Sequence, residues 1–187
     1  MLRLFIILSL IFSLPAHAAQ EVDPELRDYL RTEIANADSF VDRFDAEVWL
    51  VDMSSRLKRY MKDDKTRISF LRNVHAEATR ANLPPELVIA LIQVESAFKQ
   101  FAVSNVGAQG FMQVMPFWKK EIGRSDDNLM AMQTNLRYGC AILSFYLKKE
   151  KGDWIRALAR YNGSLGRLKY PEKVLVAWDK HWYVKNS

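Results

Sequence analysis

The sequence predicts an all-α or predominantly α fold, and three observations support this class. Apolar residues recur mostly at helical spacing, which argues against a β-rich fold. Glycine and proline are scarce, with 7 and 6 copies among 187 residues. Hydrophobic residues make up 49% of the chain and charged residues 26%, which suits one domain with a real core and a small helical extension.

The first element, residues 1–18, is predicted to be a secretory signal peptide. Arg3 precedes the apolar run LFIILSLIFSL, Pro15 interrupts it, and AHA supplies the small residues of a cleavage site. The run is shorter than the roughly 20 residues that span a bilayer, so an uncleaved anchor is the weaker alternative. We therefore expect a periplasmic chain with no stable membrane anchor, and no lipid, because the residue directly after the cleavage site is alanine and not cysteine.

Residues 19–65 are predicted to form an N-terminal helical extension. The segment DPELRDYLRTEIANA has Asp23 as N-cap and Pro24 at the first helical position. The segment DAEVWLVDMSSRLKRYM presents apolar residues at helical spacing. The softest boundary follows at KDDK, so the main domain is expected to comprise residues 66–187.

Five further segments of the main domain are predicted to be helices. They read KTRISFLRNVHAEATRANL, PPELVIALIQVESAF, TNLRYGCAILSFYLKKEKG, DWIRALARYNG and PEKVLVAWDKHWYV. Pro84 or Pro85 begins the second, because proline fits the first turn of a helix. Gly152 ends the third, and Asp153 is the expected N-cap of the fourth. Shorter helical pieces are expected between the second and the third.

The charge of the chain is positive and uneven. The formal net charge is +5, with 11 basic and 13 acidic residues at 19–84 but 15 basic and 9 acidic at 85–187. A basic exported domain favours anionic partners such as a wall polymer or a membrane surface, and nucleic acid is a poor candidate outside the cytoplasm. A basic face that is merely solvated is the alternative.

No metal site or cofactor is expected from the cysteine and histidine content. Cys140 is the single cysteine, so it cannot form an internal disulfide, and it lies in an apolar helix as a core residue would. His17, His75 and His181 are scattered and show no metal-ligand spacing.

Glu95 is the candidate catalytic acid, because it lies on the apolar face of a predicted helix. At about 100° per residue, Val88, Leu91, Ile92 and Phe98 all fall within about 60° of it. Burial and the C-terminal end of the helix dipole should both raise the pKa of this carboxyl. The alternative is a structural glutamate that is buried with a hydrogen-bonding partner.

The loop SNVGAQGFMQ follows this helix and carries no charge. It contains two glycines, three amides and a serine. Gly107 and Gly110 permit tight turns and close approach of a ligand to the backbone. Uncharged donors and acceptors beside an acid of raised pKa would suit a neutral, hydroxyl-rich substrate such as a sugar, although an ordinary turn is the alternative.

Three blocks of this sequence resemble the soluble lytic transglycosylase (SLT) catalytic domain, a family of the lysozyme-like superfamily. They are ESAF at 95–98, SNVGAQGFMQVMP at 104–116 and ALARYNGSLGRL at 157–168. The segment NLRYGCAILSFYL is similar to the helix between the last two blocks. The resemblance spans residues 83–168, and three motifs in the family's order and spacing are more specific than any one of them.

The resemblance implies a lysozyme-like helical catalytic domain in which Glu95 is the single catalytic acid and base. Substrate-binding or supporting roles would fall to Ser96, Ser104, Gly107, Gln113, Met115, Tyr161 and Asn162. Tyr161 would hydrogen-bond near Glu95. The sequence departs from the family at Phe111, where Leu is usual, at Arg160, where Ala is usual, and at Gly163-Ser164, which replace Ala-Gly.

The activity implied by this family is non-hydrolytic cleavage of the MurNAc-GlcNAc β-1,4 bond of peptidoglycan, which leaves 1,6-anhydro-MurNAc ends. The partner would be peptidoglycan glycan strands. One alternative is a hydrolysing muramidase, which would need a second acid such as Glu121, Asp126 or Asp127, because Glu95 is the only acid at 88–119. The others are a catalytically silent peptidoglycan-binding protein and a helical scaffold.

Overall fold

The computed structural model describes residues 43–184, with side chains from Trp49 onward. Its helices are α1 (Arg43–Leu57), α2 (Asp64–Arg80), α3 (Pro85–Ser96), α4 (Trp118–Ile122), α5 (Met132–Lys149), α6 (Trp154–Tyr161), α7 (Lys169–Ala177) and a π-helical turn (Trp178–Trp182). The part of the chain described contains isolated β-bridges but no strand, so the predicted helical class is confirmed. The predicted signal peptide and the helix DPELRDYLRTEIANA lie outside these residues.

The helix boundaries follow from local signals in the sequence. Pro84 and Pro85 occupy the N-cap and first position of α3, as predicted. The Asp153 carboxylate caps α6 by accepting a hydrogen bond from Arg156 N at 3.0 Å, which is also as predicted. Asp63 caps α2 in the same way, through Thr66 N at 2.7 Å. After α5 the chain turns at Gly152, whose φ is +87°.

The centre of the molecule is α3, the helix that carries Glu95. Every side chain from Leu87 to Ile92 is fully buried, so this helix is surrounded by protein. It packs against α2, α7 and the π-helical turn. Side chains of α1, namely Leu50, Met53 and Leu57, belong to the same hydrophobic core. The domain boundary at residue 65 stays a prediction.

An aromatic cluster fixes the C-terminal end of α3. The Phe98 ring lies 4.6 Å from that of Tyr60 and 5.7 Å from that of Trp182, measured between centroids. Its edge also meets Phe70. The Trp182 indole donates a hydrogen bond to Gln93 Oε1 at 2.7 Å. The π-helical turn therefore holds the end of α3, because Trp182 bonds to Gln93, two residues before Glu95.

A buried ionic group joins α2 to α5. The Glu77 carboxylate accepts hydrogen bonds from Arg80 at 2.5 Å and from Arg137 at 3.3 Å, and its side chain is 6% exposed. A buried carboxylate needs such partners to offset its lost hydration.

None of the helices in the described part of the chain is both long enough and apolar enough to span a membrane.

Candidate active site

A cleft of about 370 Å³ opens beside the end of α3. Its walls are formed by α3, the α6–α7 connection and the first turn of α7. The lining residues are Val94, Glu95, Asn162, Ser164, Arg167, Lys169, Tyr170 and Lys173. Glu95 is the only acid among these lining residues, and the hydroxyl and amide groups around it are uncharged.

The chain turns sharply directly after Glu95. Ala97 and Phe98 both adopt left-handed backbone conformations, with φ of 48° and 64°. Non-glycine residues pay about 1–2 kcal/mol for this conformation. The packing of the Phe98 ring in the aromatic cluster offsets this cost, because the side chain is only 6% exposed. The turn leaves Glu95 at the very end of the helix, where it faces the cleft.

The environment of Glu95 makes both protonation states of its carboxyl accessible near neutral pH. Burial raises the pKa of its carboxyl to about 7, and the hydrogen bond that the Tyr170 hydroxyl donates to Oε1 opposes part of that rise. The sequence-based expectation of a raised pKa agrees with this finding. A carboxyl with such a pKa can donate a proton and then accept one at the same pH.

The Tyr170 hydroxyl is the donor to Glu95, and sequence analysis missed it. The expected tyrosine, Tyr161, instead donates to Met112 O at 2.8 Å. Burial places the pKa of both tyrosines well above the usual value, so both hydroxyls keep their protons. Tyr170 lies 75 positions after Glu95 and outside the three motif blocks. No local pattern connects the two residues.

The polar residues of the loop after α3 mainly hold the loop's own turns. Ser104 Oγ accepts a hydrogen bond from Ala108 N at 3.0 Å. Gln113 Nε2 donates to Ala102 O at 3.2 Å and to Gly110 O at 3.0 Å. Gly107, with φ of 87°, provides the turn between them.

Asn135 of α5 holds this loop through side-chain hydrogen bonds, and it was not among the residues predicted from the sequence. Its side chain is buried, with 1% exposed. Its Oδ1 accepts from Met112 N at 2.8 Å, and its Nδ2 donates to Gln109 O at 2.8 Å and to Leu129 O at 2.9 Å. An amide on the same helical face as Gly139, Ile142 and Tyr146 was the available signal, because buried amides need such partners.

The other predicted site residues occupy different positions. Asn162 is exposed and lines the cleft. Ser96 is buried, and its hydroxyl donates to Ile92 O at 3.2 Å within the same helix. Met115 is partly buried and packs against the hydrophobic core. Contact of these residues, and of those in the loop, with a substrate stays a prediction.

The departures from the family motifs have local explanations. The Phe111 ring lies 4.8 Å from that of Phe70 and is almost fully buried, so it fills the core. Arg160 pairs with Glu150 at the end of α5, away from the cleft lining. Ser164 does line the cleft, so this replacement adds a hydroxyl to the wall of the site.

The acids considered as a second catalytic carboxylate lie outside the cleft lining. Asp127 accepts hydrogen bonds from the Tyr138 hydroxyl at 2.5 Å and from Arg124 N at 3.1 Å. Asp126 pairs with Arg124 at 3.0 Å. Glu121 is not among the lining residues either. Within residues 43–184, no three histidine, cysteine or acidic side chains are grouped as a metal ion would require.

Comparison with known proteins gives consistent matches. Residues 72–175 match the family model described as the transglycosylase SLT domain. A transglycosylase of Enterobacteria phage PRD1 is 31% identical over 115 residues, covering 58% of this chain and 42% of that protein. Membrane-bound lytic murein transglycosylase D of Escherichia coli is 30% identical over 118 residues, covering 60% of this chain and 26% of that protein.

A solved structure also aligns with the chain. It is the X-ray structure of an inactive mutant of the lytic transglycosylase Slt from Pseudomonas aeruginosa, with a TM-score of 0.48 and 25% identity, covering 81% of this chain and 27% of that one. The chain spans less than half the length of the curated relatives it matches. Because the family model covers more than half of the chain, the protein belongs to the transglycosylase SLT domain family.

Proposed function

We propose that this chain is a lytic transglycosylase that cleaves the MurNAc-GlcNAc β-1,4 bond of peptidoglycan, with Glu95 as its single general acid and base. The observation that carries the proposal is the partly buried Glu95, whose carboxyl has a pKa of about 7. No second carboxylate is among the residues that line its cleft. The signal peptide expected at residues 1–18 would place this activity in the periplasm.

The first step requires the protonated form of Glu95. The carboxyl donates its proton to the glycosidic oxygen, so the GlcNAc side leaves as a neutral alcohol. In a cleft with one carboxyl, the positive charge that develops at the anomeric carbon must be met by the substrate. The N-acetyl oxygen of the MurNAc residue can supply those electrons.

The second step uses the carboxylate that the first step leaves behind. It takes the proton of the MurNAc 6-hydroxyl, whose oxygen attacks the anomeric carbon and displaces the N-acetyl oxygen. Because this hydroxyl is tethered to the reacting ring, its effective concentration can greatly exceed that of a free reactant. Glu95 ends protonated, and the product is a 1,6-anhydro-MurNAc end formed without water.

Tyr170 is suited to stabilise the carboxylate form of Glu95, which exists between the two steps. Its hydroxyl donates to the carboxylate, and a hydrogen bond to a charged group is stronger than one to a neutral group. The same bond lowers the pKa of Glu95 against the effect of burial. Burial and this bond together set a pKa at which both proton transfers are possible.

The products of a sacculus digest test the proposed reaction. We expect mass spectrometry to find fragments that end in 1,6-anhydro-MurNAc, each lighter by one water than the hydrolysed fragment. Assays for reducing ends should stay near background while the turbidity of the wall suspension falls. Mainly reducing MurNAc ends would contradict the single-carboxylate mechanism and would favour a hydrolysing muramidase.

Replacing Tyr170 with phenylalanine should shift the pH profile of cleavage. Without the donated hydrogen bond the pKa of Glu95 should rise above about 7, so the alkaline limb of kcat/KM should move to higher pH. Tyr161→Phe is the matched control, because that hydroxyl bonds to Met112 O and not to Glu95. An alkaline limb that moves equally in both variants, or in neither, would show that Tyr170 does not tune the acid.

A further inference from the structure

Three cations are among the residues that line the cleft containing Glu95. Arg167, Lys169 and Lys173 all line it, and all three are exposed. None of their side chains forms an ion pair with another residue in the described part of the chain. We refer to these three side chains as the cationic rim.

The charge of the rim is not neutralised by the cleft itself. Glu95 is the one acid among the lining residues, so the lining keeps an excess of positive charge whether or not Glu95 is ionised. Glu172 in the first turn of α7 is exposed and does not line the cleft.

Helix α7 adds to the same positive field. It begins at Lys169, and no side chain caps its first turn. The free N–H groups of a first helical turn carry partial positive charge, and here only Lys169 and Tyr170 supply them, because Pro171 has no N–H. The three side-chain cations therefore carry most of the positive charge of this wall, and the helix N-terminus adds little to it.

We propose that the cationic rim binds a carboxylate carried by the MurNAc residue of the substrate, so that the site selects strands bearing this anion. The inference rests on the proposed function, because it needs a MurNAc residue beside Glu95. The sugar rings are neutral and offer three cations no anion, whereas the MurNAc lactyl group carries a carboxylate, which is its own when no stem is attached and belongs to the stem peptide when one is. Arg167 can grip a carboxylate through two parallel N–H donors.

The same chemistry has two sources in the wall. One is a carboxylate of the stem peptide, which is attached through the lactyl group. The other is the free lactyl carboxylate, which is exposed when the stem has been removed. Both sources put the anion on the reacting MurNAc residue, and a binding experiment distinguishes them.

The experiment measures binding of defined glycan strands to the full chain carrying Glu95→Gln, so that the strands are not cleaved. The strands are of equal length and carry stem peptides, free lactyl carboxylates, or lactyl groups converted to methylamides. The test variant adds Arg167→Gln, Lys169→Gln and Lys173→Gln. The matched control adds Lys58→Gln, Lys62→Gln and Lys65→Gln, which remove the same charge from exposed positions outside the cleft lining.

We expect the test variant to bind the carboxylate-bearing strands about tenfold more weakly than the parent, in line with three solvent-exposed ion pairs. The control should bind as the parent does, and the difference should shrink as the salt concentration rises. Loss with stem-bearing strands alone identifies the stem carboxylates, and loss with the stripped strands alone identifies the lactyl carboxylate, because that carboxyl is an amide when the stem is attached. Loss with both kinds of strand shows that the rim binds either carboxylate.

Two results would overturn the inference. The first is unchanged binding by the test variant, and the second is an equal loss for the methylamide strands, which carry no lactyl carboxylate. Binding of the methylamide strands by the parent measures recognition of the glycan itself. If the parent binds no strand at all, the proposed function itself is contradicted. The two results above contradict only the inference about the cationic rim.

Discussion

Glu95→Gln is expected to reduce cleavage of peptidoglycan by a factor of at least about 100, the low end of what a positioned general acid contributes. Glutamine keeps the size of the side chain and can still accept the Tyr170 hydrogen bond, but it has no carboxyl proton to donate. Because Glu95 is the only acid among the residues that line the cleft, no other lining carboxyl can donate the proton in its place. The measurement is the rate of release of soluble fragments from purified sacculi.

The control for this variant is Glu172→Gln, the same substitution at an exposed acid on α7 that does not line the cleft. It should cleave at close to the parental rate. Near-normal cleavage by Glu95→Gln would remove Glu95 from the mechanism. An equal loss in both variants would point to a general effect of charge on wall binding.

The same substitution should change stability in a way that depends on pH. Burial raises the pKa of Glu95 from 4.5 to about 7, so between these values the folded chain binds more protons than the unfolded chain. The contribution of this residue to stability is therefore present at low pH and lost as the pH rises through 7. Glu95→Gln should exceed the parent in stability at pH 8, by at most about 3 kcal/mol, and match it near pH 4. Urea titrations at the two pH values measure this difference.

The position of Glu95 was predictable because it depends on local information. The proline pair, the apolar run and the helical spacing all lie within a dozen residues, and they define α3 and the face that it buries. The N-cap at Asp153 and the turn at Gly152 were predictable for the same reason. A carboxyl at the end of a buried helix then has a raised pKa on physical grounds.

The partners of these residues were not predictable, because tertiary packing brings them together. Tyr170 reaches Glu95 only because α7 packs against α3. Asn135 bonds to the loop only because folding brings α5 next to it, 23 positions after Met112. Tyr161 was the tyrosine that the motif suggested, yet its hydroxyl holds Met112 O. Which of the two tyrosines reaches the acid depends on how α6 and α7 pack, and spacing along the chain does not determine it.

The loop that follows α3 depends on one buried amide. Asn135 supplies an acceptor to Met112 N and donors to Gln109 O and Leu129 O, all at 2.8–2.9 Å. The fit is tight, because a Cβ atom added at Gly110 would lie 2.4 Å from Asn135 Nδ2. Water has little access to replace these hydrogen bonds, since the side chain is 1% exposed.

Asn135→Ala is therefore expected to lower the free energy of unfolding by about 2–6 kcal/mol, because Met112 N and Leu129 O each lose a buried hydrogen bond at about 1–3 kcal/mol, while Gln109 O keeps its bond from Val114 N at 2.9 Å. Asn128→Ala is the matched control, since that exposed amide makes a single bond to Met130 N at 2.9 Å and should cost less than about 1 kcal/mol. Asn135→Asp should be at least as damaging as Asn135→Ala, because its carboxylate would face two carbonyl oxygens. Urea unfolding of the three variants measures these costs. A loss in Asn135→Ala no larger than that in Asn128→Ala would mean that the loop does not depend on this amide.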